Sequence, residues 1–385
     1  MRKIIFIYFA ISFLTGCDEP VPGILKVVQD LPADQAQEAA DRLLAQWTDA
    51  GQVPYIQGDT AIFLLKQDAQ KVALAGDMNQ WQPDQTYLDQ LADTDLWYYI
   101  FPTYPDARLD YKFVIDDGSW ILDPRNPRRS DHNDFVNSEL RMPEYQDPLI
   151  AERDSSVQMG KLDTLAVDTN RWTMIRSIVV YKPAAYEALE SMPSAYFHDG
   201  LNQVAIADVP VILDNLIAQG TIPPAIAIFV EPKDRSQAYA FEQQSAFARF
   251  FVEELVPYID EKYKTSRKGD DRATIGASFG GLISVVLSFT YPEVFGNCGA
   301  HSCAYWPNKR AGYELILSRL KEPVKYAAIW GSYDGVRSNN NEVVRHFENE
   351  GIPILHRELH EGHTWALWRA TTSDFLQYFF GSDPN

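Results

Sequence analysis

Thr274-Ile275-Gly276-Ala277-Ser278-Phe279-Gly280-Gly281-Leu282 carries the pattern Gly-x-Ser-x-Gly between an apolar run, Ala273–Ile275, and an apolar stretch from Leu282 to Phe289. A buried strand that turns at once into a helix holds the residue at its tip in a strained backbone conformation. The glycines two positions either side let the neighbouring chains approach. The helix that starts there points backbone N–H groups and the positive end of its dipole at the tip. Ser278 therefore reads as a nucleophile, with the Phe279 N–H as one donor to an oxyanion. Ser284, Ser288 and Ser302 lack the turn and read as helix or strand residues.

A serine hydroxyl is a weak nucleophile until a base takes its proton. The chain offers His132, His198, His301, His346, His356, His360 and His363. Where this turn occurs, an acid and then a histidine follow the serine in chain order. His346 falls in a helical stretch and His356 in a strand, whereas His360 and His363 share the loop after the last strand. Gly362 before His363, with Trp365 and Trp368 after it, suggests a tight turn packed on aromatics, so His363 is chosen and His360 held in reserve. The acid is expected in the loop Gly331-Ser332-Tyr333-Asp334-Gly335 after the strand Lys325–Trp330. Asp334 fits, with Glu358 and Glu361 as substitutes. A second oxyanion donor is expected from His198-Asp199-Gly200-Leu201, as the backbone N–H of Gly200 or Leu201.

Around these motifs, strands and helices alternate. Ser177–Tyr181, Ser194–Phe197, Ala225–Val230, Ala273–Ile275, Ala327–Trp330 and Ile354–Glu358 read as strands, and Phe241–Glu261 as one long helix. That alternation predicts an α/β domain over residues 171–385, its mostly parallel sheet covered on both faces. Residues 59–140 read instead as successive short strands, namely Thr60–Leu65, Lys71–Ala75, Trp97–Phe101, Asp110–Ile115 and Trp120–Leu122, with no helix between them. They predict a small all-β, immunoglobulin-like sandwich. Residues 141–170 are expected to link the two domains. Within residues 18–58, a tether to about Asp30 precedes an amphipathic helix, where Ala36, Ala39, Ala40, Leu43, Leu44 and Trp47 recur at helical spacing before Gly51.

Of 385 residues, 46% are apolar and 23% charged, and the net charge is −19. So acidic a surface repels phosphate backbones and argues against a nucleic-acid partner. Arg2 and Lys3, a short apolar run from Ile4 to Leu14, and Leu14-Thr15-Gly16-Cys17 have the parts of a secretory signal. The ending resembles the lipobox of bacterial lipoproteins. It implies lipid on Cys17, cleavage before it so that Cys17 becomes the new N-terminus, and a cell-envelope location facing the periplasm. Asp18 resembles an inner-membrane retention signal. Of the other cysteines, Cys298 and Cys303 lie five residues apart in what reads as a strand. That spacing is roughly 16 Å when extended, beyond the roughly 7 Å a disulfide spans, so two free, buried thiols are expected. No metal-ligand cysteine spacing is present, and the chemistry read here needs no metal or organic cofactor.

The resemblance to known families rests on ordered segments. In residues 59–140, Val72-Ala73-Leu74-Ala75-Gly76-Asp77-Met78-Asn79-Gln80-Trp81, Tyr111-Lys112-Phe113-Val114 and Asp123-Pro124-Arg125-Asn126-Pro127 resemble early-set sandwich domains related to glycogen-binding modules. That resemblance makes Trp81 and Trp120 candidates for stacking on sugar. The preferred account is that both pack within the sandwich or against the next domain. From about Gln52 onward, the chain is similar to the enterochelin-esterase-like branch of the esterase D family, which includes feruloyl and acetyl-xylan esterases. The pieces that carry this are Trp97 with Pro105-Asp106-Ala107-Arg108, Asn215–Gly220 with Ile222-Pro223-Pro224, Glu254–Ile259, the Ser278 segment, Tyr291–Gly296, and Glu361-Gly362-His363-Thr364-Trp365 with Trp368-Arg369. The resemblance implies an α/β-hydrolase fold with Ser278 as nucleophile, His363 as base and Asp334 as acid. Arg235 and Tyr239 match the family's Arg-x-x-Glu-Tyr segment, with Ala238 where that pattern has Glu. They are substrate-binding candidates, together with Trp306 and Trp365. The loop His301–Trp306 departs from the usual pattern, which leaves the substrate open.

The function implied is ester hydrolysis through an acyl-enzyme. A siderophore ester and a carbohydrate ester of feruloyl or acetyl-xylan type are both candidate substrates. The alternative from another class is a catalytically inactive, glycan-binding lipoprotein.

Overall fold

The computed structural model describes residues 23–381 apart from 117, 133–134 and 168–171. The expected leader, with Cys17 and Asp18, lies outside the described residues. Among the described residues no helix is long and apolar enough to cross a membrane.

Two antiparallel sheets make up the first domain. One runs in the order Tyr55–Gln57, Thr60–Lys66, Leu96–Pro102, Asp89–Gln90. The other runs Val72–Gly76, Arg108–Ile115, Phe135–Arg141, Arg129–His132, and Ser119–Ile121 also pairs with Arg108–Ile115. Phe63, Leu65, Leu74, Leu109, Tyr111 and Phe113 form one buried core between them. The apolar run Ala61–Leu65 does not alternate, because both of its faces are covered. Ile62 and Leu64 point the other way, into a second cluster with Leu44 and Trp47 of the helix Ala33–Asp49. A strand buried on both faces must be apolar throughout. Where a tether was expected, Gly23–Gln29 is helical and buries Leu25 and Val28 in that same cluster. Seven residues are too few for a periodic signal.

An eight-stranded sheet forms the second domain, in the order Lys161–Leu165, Ile175–Lys182, Ile226–Pro232, Ser194–His198, Arg272–Ala277, Asn297–His301, Lys325–Gly331, Ile354–Leu359. The first two strands pair antiparallel, with each other and with Ile226–Pro232. The remaining pairings are parallel. Lys161–Leu165 lies in the segment expected to be a linker, and its burial alternates too weakly to announce a strand. The expected helix Phe241–Glu261 is broken into Gln244–Phe250, a π turn over Phe251–Leu255, and Val256–Lys262. Pro257 has no N–H to continue the α-helical ladder, and the wider turn just before it accommodates the gap. Cys298 and Cys303 are free and buried.

The sandwich meets the hydrolase-like domain on the loops that follow the last two strands. The Arg108 N–H donates to the His360 carbonyl at 3.0 Å, and Arg108 and Glu361 form a parallel bridge. The Thr103 hydroxyl lies 2.7 Å from the Tyr333 hydroxyl. Arg108 is buried and reaches Glu139 through Nε at 2.9 Å and Asp110 through Nη2 at 2.9 Å. Burial works against its charge, but Asp110, Glu139 and Glu361 hold it protonated. Glu361 is 1% exposed, and neither carboxyl oxygen has a hydrogen-bond partner among the described residues. Burial pushes its pKa up to about 8, with Arg108 opposing and Asp77, Asp110 and Glu139 adding to the rise.

That shift fixes a sign. The folded chain holds the Glu361 proton to about pH 8, whereas the unfolded carboxyl gives it up near 4.5. Its contribution is therefore fully present below pH 4.5 and is lost as pH rises toward 8. Glu361→Gln, which keeps the neutral form's shape, is expected to flatten this slope. Between pH 5 and 8 the melting temperature of the wild type should fall by roughly 3 °C or more beyond that of the variant. Parallel melting curves across that range would remove Glu361 as the source.

Candidate active site

The strand Arg272–Ala277 ends where the helix Phe279–Thr290 begins, and Ser278 at the junction has φ 58° and ψ −116°. Non-glycine residues rarely adopt a positive φ, and it costs about 1–3 kcal/mol. The strand and helix cross so closely that a Cβ on Gly276 would overlap the backbone of Gly280. On Gly280, a Cβ would sit 3.2 Å from an Asp199 carboxylate oxygen. The Ser278 N–H donates to His301 O at 2.9 Å, and its carbonyl accepts from Ala304 N at 3.2 Å. The serine is thus held by both flanking elements and by the next strand's loop.

His363 and Asp334 come from the loops after the last two strands. His363 Nδ1 lies 3.1 and 3.0 Å from the two Asp334 oxygens. With the proton on Nδ1 the ring donates to the acid and leaves Nε2 free to accept. The Asp334 side chain is 1% exposed and that of His363 37%. Asp334 Oδ1 also accepts from Val336 N at 3.0 Å. The edge of Trp368 meets the imidazole at 5.1 Å and 90°, and Trp368 Nε1 donates to Ser302 Oγ at 3.1 Å. Ser278, His363 and Asp334 line one cavity of about 310 Å³ together with Phe279 and Trp306.

The other described histidines have different surroundings. His198 and His301 are buried, which lowers both to about 3 and keeps them neutral, each beside a threonine hydroxyl at 3.0 Å. His346 contacts Tyr313, and His356 contacts Glu348. His360, the reserve, stacks on Tyr104 at 3.6 Å and bonds Asp106 at 2.5 Å, away from Ser278. Glu358, an alternative acid, is taken by Arg337, Trp330 and Asn341, and Glu361 faces the sandwich.

Several expected contacts differ. Leu201 N–H already donates to a Glu231 carboxylate oxygen at 3.2 Å, so it is no oxyanion donor as it stands. A Cβ on Gly200 would overlap the Phe229–Val230 backbone. Its glycine therefore serves close packing, and its N–H is the loop's remaining candidate. Tyr239 is fully buried, and its hydroxyl accepts from Asp199 N at 3.1 Å, so it does not face substrate. Arg235 grips Asp199 with two bonds, at 2.8 and 2.9 Å, and reaches the Ala277 carbonyl at 3.2 Å. It braces the 198–201 loop against the serine turn. Ala238 is buried in an apolar cluster, where the family pattern has glutamate. Trp365 lines a separate cavity of about 170 Å³ beside Arg108 and Arg369.

What sequence reasoning missed is the sandwich's share of the site. Asp77, Gln80 and Trp81, all in one turn, line the Ser278 cavity. Trp81 donates through Nε1 to Asp77 at 3.1 Å and stacks against Trp120, with centroids 6.5 Å apart and planes at 16°. Packing alone therefore does not account for the pair: Trp81 is half-buried at the cavity wall, and Trp120 is 47% exposed. Beside this cavity a groove of about 990 Å³ runs between the domains, past Tyr104, Arg337 and Arg345. No local sequence signal joins Trp81 to Ser278, nearly two hundred residues later.

A mixed α/β sheet, a strained serine at a strand–helix junction and a buried acid–histidine pair define the α/β-hydrolase-like class. The chain belongs to the Esterase family, whose model, "Putative esterase", matches residues 170–378. The iron(III) enterobactin esterase of Escherichia coli K12 is 27% identical over 135 residues, 34% of this chain and 34% of that protein. An endo-1,4-beta-xylanase/feruloyl esterase of Xylanibacter ruminicola is 24% identical over 302 residues, 71% of this chain and 39% of that protein. The first curated relatives are covered over 63% and 52% of their length. The ferric enterobactin esterase structure from Salmonella typhimurium, 19% identical, superposes with a TM-score of 0.69 over 87% of this chain and 98% of that one. The shared fold thus includes the sandwich as well as the sheet domain.

Removing the Arg235 guanidinium would leave the Asp199 carboxylate, 5% exposed, without its ionic partner. Arg235→Met is expected to destabilise the protein by about 1–2 kcal/mol, below the cost of breaking a fully buried pair because the Arg235 side chain is 40% exposed. Urea unfolding measures it, and an unchanged midpoint would show that the brace is dispensable.

Proposed function

We propose that the chain is a serine carboxylic-ester hydrolase working through an acyl-enzyme on Ser278. The single observation that carries this is the shared cavity of Ser278 with the His363–Asp334 pair. Ser278 Oγ attacks the ester carbonyl while His363 Nε2 takes its proton, and Asp334 stabilises the imidazolium. The oxyanion is met by the Phe279 N–H at the head of a twelve-residue helix, with the Gly200 N–H as second donor. His363 returns the proton to the departing alkoxide, then activates the water that frees the acid.

Among substrates, an enterobactin-type siderophore ester is favoured. The inter-domain groove, about 990 Å³, supports a bulky molecule that extends beyond the reacting bond. A second reading is a feruloyl-type carbohydrate ester, favoured by the stacked Trp81–Trp120 pair at the rim as a platform for a ring. Lipid attachment at Cys17 and a periplasm-facing envelope location complete the proposal, supported by the sequence of residues 2–18.

The test is turnover of short p-nitrophenyl esters by the form lacking residues 1–17, followed by enterobactin and feruloylated oligosaccharides. Ser278→Ala is expected to cut kcat by roughly a thousandfold or more, and Asp334→Asn by about 10³–10⁴. Equal turnover with and without the Ser278 hydroxyl would sink the assignment. Trp81→Ala should weaken feruloyl-saccharide turnover selectively only if the second reading is right.

A further inference from the structure

The turn from His360 to His363 is held from two sides. Its own domain supplies the Tyr333 N–H, which donates to Glu361 O at 3.1 Å, and a close approach in which a Cβ on Gly331 would overlap that same carbonyl. From the sandwich, Arg108 N–H donates to His360 O at 3.0 Å. The ring of His360 lies flat on Tyr104, 3.6 Å apart and 6° from parallel, and bonds Asp106. The most confined point is Gly362, where a Cβ would overlap the Asp77 carboxylate. That carboxylate cannot easily retreat, because it accepts from Asp110 N at 2.8 Å and from Trp81 Nε1 at 3.1 Å. The φ of Gly362 lies outside the left-handed region, so it is this contact, not backbone conformation, that excludes a side chain.

We propose that the sandwich domain is a positioning element for His363: Arg108 and Asp77 clamp residues 360–362 and so set the imidazole against Ser278. The inference rests on His363 being the general base. The imidazole begins one residue beyond the clamp. Its other supports are Asp334, itself one residue past Tyr333, and the edge of Trp368. Tyr333 too is tied to the sandwich, through the Thr103 hydroxyl. Both members of the acid–base pair are therefore referenced to the same neighbouring domain. A displacement of about 1 Å at a catalytic group lowers turnover by about a hundredfold while leaving ground-state binding largely intact. The clamp predicts that signature, and simple loss of fold does not.

The experiment is steady-state hydrolysis of p-nitrophenyl butyrate by the full chain, with thermal unfolding recorded for every variant. Gly362→Ala is expected to fold and to lose about a hundredfold in kcat, with KM changing less than about threefold. Asp77→Ala, which removes that jaw of the clamp, should likewise lower kcat by about tenfold or more at near-constant KM. Unchanged kcat in Gly362→Ala, or a loss carried by KM alone in either variant, would overturn the clamp. Should Gly362→Ala fail to fold, Asp106→Ala, at the exposed rim of the same contact, decides the matter. A fall in kcat of about threefold or more at constant KM supports the clamp, since a small misplacement costs turnover before binding, and unchanged kcat refutes it. His363→Ala, measured alongside, separates the two ideas. Turnover that survives it sinks the hydrolase mechanism itself, whereas turnover lost there but untouched in Gly362→Ala sinks the clamp alone.

Discussion

The close crossing of the strand Arg272–Ala277 and the helix Phe279–Thr290 is the constraint on which the catalytic end of this protein depends. With no Cβ at Gly276, the helix starts one residue after the strand stops, and Ser278 is left at φ 58° with nowhere to relax. Such strain persists only where surrounding structure over-determines it. Here the surroundings are the helix itself, whose Leu282, Ile283, Val285, Leu287 and Phe289 are all buried. At about 1.5–3 kcal/mol for each large apolar side chain, their burial outweighs the strain of one backbone several times over. The same packing aims the first turn's N–H groups at the space in front of the serine.

Rigidity at the serine is matched at the acid and the histidine by different means. Ser278 sits where a sheet strand passes directly into a helix, whereas Asp334 and His363 ride on loops, and loops are ordinarily the mobile part of a fold. Those two loops follow adjacent parallel strands, Lys325–Gly331 and Ile354–Leu359, and the sandwich rests on both. The first domain is therefore part of the active site's frame, and through Asp77, Gln80 and Trp81 part of its wall.

Features set by neighbouring residues were legible in the sequence. The Ser278 turn is a local pattern, and the strands around it, such as Lys325–Trp330, announce themselves as short apolar runs between turns. The choice of His363 over His360 followed from Gly362 and the tryptophans beyond it, and the structure places His363, not His360, beside Ser278. Features set by packing between distant segments could not be read. Tyr239 and Arg235 have the chemistry of ligand-binding residues, but burial turns one into a backbone-bonded core residue and the other into a brace on Asp199. Leu201 was expected to offer its N–H, and only the fold reveals that Glu231, thirty residues on, already takes it. Phe241–Glu261 read as one helix because the chain stays helical through the π turn, which no residue pattern announces.

The arginines show why residue type alone misled. Arg108 and Arg235 each hold a planar fork against carboxylates, and each does so where a loop of the site must be immobile. A guanidinium suits that task because its donors are fixed in one plane and its charge persists when buried. In a chain with 53 acidic and 34 basic residues, carboxylates are plentiful enough to meet inside the interface. Burial, and then the acids that outnumber the base around Arg108, keep Glu361 protonated. Arginines that do face the inter-domain groove, Arg337 and Arg345, come from a helix that follows the acid's loop. The opposite wall is Asp77, Met78, Gln80 and Tyr104 of the sandwich. The groove's walls thus come from both domains, a helix carrying two arginines on one side and a turn of the sandwich on the other. The cavity lined by Ser278 and His363 adjoins this groove and shares Asp77, Gln80, Tyr333 and Asp334 with it, so the domain boundary borders both.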